Sequence, residues 1–579
     1  MWMRASQQGG GHLSRTWLAF GWHHARLAAE PARPLREHCA AIAPYTAREP
    51  EGEIVVSTLG FWNFAAEAPD KLALVDPDER RWTRGELNAA ANRLARGLRA
   101  VGVERGDAVA VCAINCAEYY ILHLACTQIG VYLTPLNWHL ASPEVAYVLQ
   151  DSAAKVFIGH EGAAALCVKA ADEAGFAADR RYAIGAVEGF RSFDELGAGQ
   201  SSDPPENRSA GAVMNYTSGT TGNPKGVKRA LAPLEVSPDD MFAMMTMFLS
   251  LFGIQAEDDN VHLCGSPLYH TAPLMHSSTA LHYGHAVVLT EKWDAEDMLR
   301  LIDKYRCTTS HMVPTQFNRL LRLPDDVKAK YDVSSTRTMI HAAAPCAPDV
   351  KRAMIDWWGN SIFEYYAATE GGGTIVTPEQ WLQFPGTVGQ AWAGSEIRIF
   401  DDDEKQLATG ERGTVFMLLG DFSKFEYKGD AEKTRKNRLT TEDGKVFFTV
   451  GDIGYLNEEG FLFLCDRKID MIISGGANIY PAEIENALSL HPKVADVAVF
   501  GIPNEDWGEE IKAVIEPSAE AVAGEELVAE LSAYCIERVG KMKTPRSFDF
   551  TDAMPRDPNG KLYKRKLRDP YWEGKTRAI

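Results

Sequence analysis

The eleven residues Tyr216-Thr-Ser-Gly-Thr-Thr-Gly-Asn-Pro-Lys-Gly226 carry more chemical information than any other stretch of the sequence. Their three glycines, Gly219, Gly222 and Gly226, permit backbone angles at which several amide N–H groups converge on one anion. Hydroxyl donors come from Thr217, Ser218, Thr220 and Thr221, and Lys225 adds a compact positive charge. The spacing GxxxxGK[ST] of a Walker A loop does not occur here. We therefore predict a phosphate-binding loop of another type, although a flexible polar linker has a similar composition.

Helical and strand patterns alternate around this loop. Upstream, Thr83 and Glu86 have the spacing of a capping box, and the apolar residues that follow predict a helix ending near Gly102. Ala108–Ala113 predicts a buried strand, and Asn115–Leu133 predicts a second buried helix. Such alternation is typical of an α/β fold with open sheets.

A composition break near Asp466 sets off the C-terminal part of the chain. It is followed by its own alternation of elements, namely a strand at Met471–Ser474, a helix from Ala482, a strand at Val494–Phe500 and a helix at Glu525–Val539. Because these patterns suffice for a small α+β domain, we predict three segments. They are an N-terminal extension without fixed structure over 1–52, a large domain over 53–465 and a small mobile domain over 466–579.

The overall composition excludes several classes of protein. A length of 579 residues implies two or three domains. A formal net charge of -19 argues against a general nucleic-acid binder, which needs a basic face. The ten cysteines are scattered without metal-ligand spacing, which indicates reduced thiols in a cytoplasmic protein and no metal cage. No apolar run reaches the length of a transmembrane helix.

The first 50 or so residues are rich in arginine and poor in acidic residues. This bias is compatible with a transit-type leader, a dispensable extension or a wrongly chosen start codon.

The loop at 216–226 resembles the signature of the adenylate-forming superfamily, which contains acyl-CoA synthetases, aryl-CoA ligases, beetle luciferases and peptide-synthetase adenylation domains. The resemblance continues in order over roughly residues 55–570 and is strongest to fatty acyl-CoA synthetases. It implies a large domain of stacked open sheets with a barrel-like subdomain, and a small α+β domain joined by a hinge.

The resemblance also assigns a nucleotide site. Tyr365-Tyr-Ala-Ala-Thr-Glu370 resembles the family's Tyr-Gly-x-Thr-Glu element, with Ala367 in place of glycine. It implies that Tyr366 stacks on adenine, that Thr369 contacts the α-phosphate and that Glu370 binds Mg²⁺ together with Thr217. Gly451-Asp452 resembles the ribose-binding Thr-Gly-Asp, with Val450 in place of threonine. The implied ATP and AMP ligands are Thr217, Ser218, Gly219, Thr220, Thr221, Gly222, Lys225, Ala344, Tyr366, Thr369, Glu370, Asp452, Arg467 and Lys561.

The C-terminal motifs imply the remaining catalytic parts. Lys561, in Pro555-Arg-Asp-Pro-Asn-Gly-Lys561, resembles the lysine that promotes adenylation, and Lys225 supports it from the loop. Gly475 and Gly476 would line the tunnel for the pantetheine arm of CoA. The hinge position, often charged in relatives, is Ile469 here.

The acyl pocket is implied by two further stretches. Pro267-Leu-Tyr-His270 places Tyr269 and His270 beside the acid, with His270 in a gating or catalytic role, and His341-Ala-Ala-Ala-Pro345 places Ala342 and Ala343 along the acyl chain. Relatives that activate amino acids carry an aspartate in this region, and Ser266–His276 has none. With Met275 and Phe317, these residues suggest an apolar pocket.

The resulting hypothesis is an ATP- and Mg²⁺-dependent ligase that forms an acyl adenylate and pyrophosphate, then acyl-CoA and AMP. The expected acid is a medium- or long-chain fatty acid or another apolar acid. Alternatives are an aryl-acid CoA ligase, an acyl-AMP ligase that loads a carrier protein, a luciferase-like oxidase and a non-catalytic nucleotide sensor. A homodimer and a peripheral membrane contact are both compatible with the sequence.

Overall fold

The computed structural model describes residues 59–217, 224–256, 259–368, 371–419, 426–427, 435, 437–556 and 562–573. The predicted N-terminal extension therefore lies outside the described residues. The helices are α1 (Phe61–Glu67), α2 (Arg84–Ala100), α3 (Ala117–Gln128), α4 (Ser142–Ser152), α5 (Ala164–Glu173), α6 (Asp194–Gly197), α7 (Pro238–Ser250), α8 (Thr271–His282), α9 (Ala295–Tyr305), α10 (Pro314–Leu321), α11 (Asp325–Lys328), α12 (Pro348–Trp358), α13 (Pro378–Gln383), α14 (Pro481–Ser489), α15 (Glu525–Val539) and α16 (Lys564–Arg568).

The strands fall into two groups along the chain. Those before residue 400 are β1 (Leu72–Val75), β2 (Arg81–Thr83), β3 (Ala108–Val111), β4 (Tyr132–Pro135), β5 (Ala154–His160), β6 (Arg181–Ile184), β7 (Arg191–Ser192), β8 (Ala212–Val213), β9 (Asn215–Thr217), β10 (Lys225–Lys228), β11 (Val261–Cys264), β12 (Ala286–Leu289), β13 (Thr309–Met312), β14 (Thr338–His341), β15 (Ile362–Ala368), β16 (Gly371–Val376), β17 (Gln390–Ala391) and β18 (Ile397–Phe400). The later ones are β19 (Gly413–Leu418), β20 (Glu426–Tyr427), β21 (Arg438–Thr440), β22 (Val446–Phe448), β23 (Asp452–Leu456), β24 (Leu462–Arg467), β25 (Ile472–Ser474), β26 (Ala477–Ile479), β27 (Val494–Asn504), β28 (Gly508–Pro517) and β29 (Ser547–Phe550).

Two largely parallel sheets form the large domain. The central sheet has nine strands in the order β17-β16-β15-β14-β13-β11-β12-β1-β2, parallel from β15 to β1 and antiparallel at both edges. The second sheet has six strands in the order β7-β6-β5-β3-β4-β8, all parallel. Both sheets carry helices on their faces, so most of their parallel strands are buried, whereas β7 at the edge of the second sheet is exposed.

The smaller sheets are mainly antiparallel. β18, β19 and β21–β24 form a six-stranded antiparallel sheet. β20, β10 and β9 form a three-stranded hairpin sheet. In the small domain, β25–β29 form a five-stranded sheet covered by α14 and α15. The predicted class, a mixed α/β fold with a large domain of parallel sheets and a small C-terminal domain, is confirmed.

Local signals explain several element boundaries. The capping box forms, because Glu86 N–H donates to Thr83 Oγ1 at 3.1 Å and Thr83 N–H donates to the Glu86 carboxylate at 2.9 Å. The predicted helix at Asn115–Leu133 was too long. It ends at Gln128, because Gly130 adopts a φ of 75° and the chain turns into β4. The boundary predicted at Asp466 falls inside β24, the last strand of the antiparallel sheet.

Candidate active site

The predicted phosphate loop connects the two strands of a hairpin. β9 and β10 pair antiparallel with Thr217 opposite Lys225, so the residues on either side of the predicted loop lie next to each other. Ser218, Gly219, Thr220, Thr221, Gly222 and the side chain of Thr217 lie outside the described residues. The hairpin nevertheless fixes both ends of the loop, and Lys225 is half-buried at its C-terminal end.

Asp151, at the end of α4, holds the base of this hairpin. Tyr216 Oη donates a hydrogen bond of 2.5 Å to the Asp151 carboxylate. Burial and this carboxylate raise the pKa of the Tyr216 hydroxyl, so it stays protonated and remains the donor. Gly226 packs under the ring of Tyr216, since a Cβ there would lie 3.0 Å from its Cζ. The sequence analysis missed Asp151, which carries no motif.

The central sheet and the antiparallel sheet bring together three predicted nucleotide ligands. Tyr366 extends from β15, and its hydroxyl donates to Asp452 Oδ2 on β23 at 2.6 Å. Arg467 pairs with Asp452 across β23 and β24, and its Nε lies 3.4 Å from Oδ1. The Asp452 side chain is 12% exposed and the Arg467 side chain 45%. A carboxylate held in this way can accept hydrogen bonds from a ribose.

The predicted magnesium ligands are not placed by the structure. Glu370, Thr369 and the side chain of Thr217 lie outside the described residues. Within the described ranges, no group of three or more histidine, cysteine, aspartate or glutamate side chains could hold a metal ion. A single carboxylate and a hydroxyl beside a triphosphate nevertheless suit Mg²⁺, which takes few protein ligands and prefers oxygen.

A buried asparagine fixes the turn that presents Tyr269 and His270. Asn115 Nδ2 donates to the carbonyls of Ser266 at 3.1 Å and Thr290 at 3.0 Å, and Asn115 Oδ1 accepts from Leu268 N–H at 2.8 Å. The rings of Tyr269 and His270 lie 4.4 Å apart, with Tyr269 buried and His270 half-buried at the start of α8. The structure thus places both predicted acyl-pocket residues on one rigid turn.

The turn after β14 is strained. Ala343 has a φ of 72°, a left-handed conformation that costs a residue with a Cβ about 1–2 kcal/mol. It is exposed, whereas Ala342 is buried and Ala344 half-buried. Phe317, which we expected in the acyl pocket, lies elsewhere. It packs edge-on against His341, in the core between the opposite face of the central sheet and its helices, because β14 side chains alternate in direction.

Aromatic and imidazole rings cover the face of the central sheet that carries Ile340 and Ala342. His276 of α8 lies 4.6 Å from His311 of β13 and 5.7 Å from Tyr365 of β15, measured between ring centroids. Phe248 of α7 and Phe252, two residues beyond the end of that helix, pack edge-on against Tyr365 at 5.6 and 5.9 Å. The sequence analysis passed over both histidines, because no motif marks them and β13, Thr309-Ser-His-Met312, is largely polar in sequence.

The predicted CoA loop lies in the small domain. Gly475 and Gly476, between β25 and β26, have φ values of 59° and 79°. A Cβ on Gly475 would lie 2.5 Å from the Trp507 ring, so only glycine fits there. Lys561 lies outside the described residues, and an isolated antiparallel bridge pairs Arg556 with Leu562 on either side of it in the chain.

No helix in the described part of the chain is both long and apolar enough to cross a membrane.

Comparisons with known proteins identify relatives of the chain. The family model for AMP-binding enzymes matches residues 61–418, and that for the AMP-binding enzyme C-terminal domain matches residues 483–561. The long-chain-fatty-acid–CoA ligase FadD13 of Mycobacterium tuberculosis is 32% identical over 516 residues, covering 88% of this chain and 97% of that protein. The fatty acid–[acyl-carrier-protein] ligase ScoC of Streptomyces coeruleorubidus is 29% identical over 538 residues, covering 92% and 99%.

Among solved structures, ATP-bound MatB from Rhodopseudomonas palustris superposes with a TM-score of 0.71 at 28% identity. The match covers 89% of this chain and 99% of that chain.

Proposed function

The chain belongs to the family of AMP-binding enzymes, and from this premise we propose that it joins an apolar carboxylic acid to coenzyme A at the expense of ATP. The observation that carries the proposal is the convergence of Tyr366, Asp452 and Arg467 from two sheets. The acid would be a medium- or long-chain fatty acid or a similarly apolar acid, in keeping with the fatty-acid ligase among the relatives.

The first step would join the acid to AMP. A carboxylate oxygen attacks the α-phosphorus, the bond to the β-phosphate oxygen breaks, and pyrophosphate leaves. Asp452 would accept hydrogen bonds from the ribose, and Tyr366 would pack against adenine. We assign Lys225 and Lys561 to the charge that develops between carboxylate and phosphate, since fixed positive charge stabilises such a transition state. Glu370 and Thr217 would hold Mg²⁺, which neutralises the triphosphate.

The second step would transfer the acyl group. The CoA thiolate attacks the acyl carbon, the bond to the phosphate oxygen breaks, and AMP leaves. The small domain over 466–579 would rotate between the two steps, so that Lys561 leaves the site and the Gly475–Gly476 turn enters. Ile469, 37% exposed beside Arg467, is where we place the hinge.

CoA is favoured over a carrier protein as the acceptor. Acyl-AMP ligases often carry an insertion after the Thr-Glu element, whereas β16, α13 and β17 follow that element here within residues 371–391. The carrier-protein ligase among the relatives keeps the second candidate open to test. We further propose a cytoplasmic location, because the nine described cysteines are all free thiols. Whether the enzyme is a homodimer can be read from its mass in solution.

Pyrophosphate release tests the proposal. The assay would supply ATP, Mg²⁺ and a panel of carboxylic acids, with and without CoA. Release that requires an apolar acid and rises with CoA is the expected result. A rate of pyrophosphate release that is the same with and without CoA, with acyl adenylate retained on the enzyme, would favour the carrier-protein ligase. No pyrophosphate release with any acid would refute the proposal.

A matched pair of lysine variants tests the catalytic assignment. Lys561→Ala should abolish adenylate formation, because it removes the charge assigned to the reacting oxygens. Lys405→Ala, which removes an exposed lysine from a turn of the antiparallel sheet, should keep the wild-type rate. Equal rates in the two variants would contradict the role of Lys561.

A further inference from the structure

Five rings pack against one another between α7, α8 and the central sheet. We call this cluster the imidazole pocket and define it by Phe248, Phe252, His276, His311 and Tyr365. His276 is 0% exposed and His311 3%.

The imidazole pocket adjoins the predicted acyl pocket. Ala342 packs in the same hydrophobic cluster as Phe248 and Tyr365. His270, on the turn that Asn115 holds, lies close enough to His311 to lower its pKa electrostatically. An acid whose carboxylate lies at the nucleotide site and whose body passes Ala342 would therefore reach the two buried imidazoles.

The hydrogen bonds of His276 define what its free nitrogen can do. Nδ1 lies 2.8 Å from the carbonyl oxygen of Ala272, which only accepts, so Nδ1 carries the proton. Burial lowers the pKa of His276 to about 4, so the ring is neutral at pH 7. Nε2 is consequently a hydrogen-bond acceptor, and it has no partner among the described residues.

His311 offers the complementary group. Its Nε2 lies 3.3 Å from the Tyr365 hydroxyl, and its Nδ1 has no partner in the described part of the chain. When Tyr365 donates to Nε2, the proton of the neutral ring resides on Nδ1, which becomes a donor. The pocket then presents one buried acceptor, on His276, and one buried donor, on His311.

A hydroxyl group matches this pair of nitrogens chemically, because it donates one hydrogen bond and accepts another. A ketone oxygen can only accept, so it would leave His276 unpaired. A hydrocarbon would leave both nitrogens unpaired, and an unpaired buried polar group is costly. A second carboxylate would face the lone pair of His276 without a compensating cation, since both imidazoles are neutral.

We propose that the acid activated by this enzyme carries a hydroxyl group on its apolar body, recognised by the imidazoles of His276 and His311 with Tyr365 as a positioning residue. The inference rests on the proposed function and narrows its substrate class. It differs from the expectation of an entirely apolar pocket.

The test compares matched acids. Straight-chain and ring-bearing acids would each be assayed beside analogues with one hydroxyl at successive distances from the carboxylate, and beside the methyl ethers and ketones of those analogues. The readout is kcat/KM from pyrophosphate release. At one hydroxyl position we expect a preference over the parent acid of about tenfold or more, shared by neither the ether nor the ketone.

Variants separate recognition from folding. His276→Phe should reduce the preference to about one, because a phenyl ring offers no acceptor. Tyr365→Phe keeps the ring but removes the hydroxyl beside His311 Nε2, so it should reduce the preference for the hydroxylated acid less than His276→Phe does. His160→Asn serves as control, since His160 is a buried histidine of the second sheet whose Nδ1 already accepts from Gly162 N–H. This control should keep the full preference, and the thermal midpoint of each variant reports its folding.

Three outcomes would overturn the proposal. Equal use of parent and hydroxylated acids at every position would refute it while leaving the ligase function intact. A preference that survives in both His276→Phe and Tyr365→Phe would show that other groups recognise the hydroxyl. Absence of pyrophosphate release with every acid would refute the proposed function and this inference with it.

Discussion

Replacing Asp452 with alanine should weaken ATP binding by an amount that the structure allows us to bound. Two charge-assisted hydrogen bonds from ribose hydroxyls contribute about 1.5–3 kcal/mol each, or about 3–6 kcal/mol together. In the free enzyme the same carboxylate accepts from Tyr366 at 2.6 Å and faces Arg467 at 3.4 Å. Because the ribose must compete with these contacts for the carboxylate, its hydrogen bonds contribute about 1–2 kcal/mol less to ATP binding. The net loss of about 1–5 kcal/mol corresponds to a rise in Kd of about 5- to 4,000-fold.

Calorimetric titration of ATP in the absence of acid measures this change directly. Repeating the titration with 2′-deoxy-ATP and 3′-deoxy-ATP completes a double-perturbation cycle. Loss of a ribose hydroxyl should raise the Kd of the nucleotide for the wild type and leave the Kd for Asp452→Ala almost unchanged. Asp259→Ala, which removes an exposed carboxylate paired with Arg337, should leave Kd unchanged. An unchanged Kd in a folded Asp452→Ala protein, or full sensitivity to the deoxy nucleotides, would refute the ribose assignment.

Three further predictions concern stability. Asn115→Ala removes three buried hydrogen bonds worth about 1 kcal/mol each, so the free energy of unfolding, measured in urea, should fall by about 3 kcal/mol. An unchanged midpoint of urea unfolding would contradict the role of Asn115 in fixing the turn at 266–270. Ala343→Gly relieves the left-handed strain and should stabilise by about 0.5–1 kcal/mol, whereas Ala343→Val should destabilise; the reverse order would exclude strain at this turn. Burial lowers the pKa of His276 to about 4 from an unfolded value near 6.5, so the unfolded state binds more protons between these values. Stability should therefore fall as pH drops from about 6.5 to 4, and less steeply in His276→Phe; parallel pH profiles of the thermal midpoint would refute this.

The sequence predicted those elements whose signals are local. The capping box at Thr83 and the helix at Glu525–Val539 form as predicted, because both depend on spacing within a few turns of chain. The helix predicted at Asn115–Leu133 was too long, because the apolar residues of a buried helix and of the following buried strand form one continuous run. Only Gly130 marks the turn between them.

The candidate site was predictable where a motif carries it and not elsewhere. Asp452, Tyr366 and Arg467 were identified by resemblance, and the structure brings their side chains together. Asn115 and Asp151 were missed, because each acts through hydrogen bonds to residues more than 60 positions away. Phe317 was expected in the acyl pocket beside Ala342, but the two residues lie on opposite faces of the central sheet. The order of the strands decides on which face of the sheet a helix packs, and spacing along the chain does not reveal that order.

Transfer of oxygen from the acid to AMP tests the central claim most directly. The acid would be labelled with ¹⁸O in its carboxylate and incubated with ATP, Mg²⁺ and CoA, and AMP would be analysed by mass spectrometry. Because the carboxylate oxygen that attacks the α-phosphorus stays on AMP when the thiol displaces it, the account predicts one labelled oxygen in AMP for each acyl-CoA formed. Acyl-CoA accompanied by unlabelled AMP, or by ADP and labelled phosphate, would contradict an acyl adenylate.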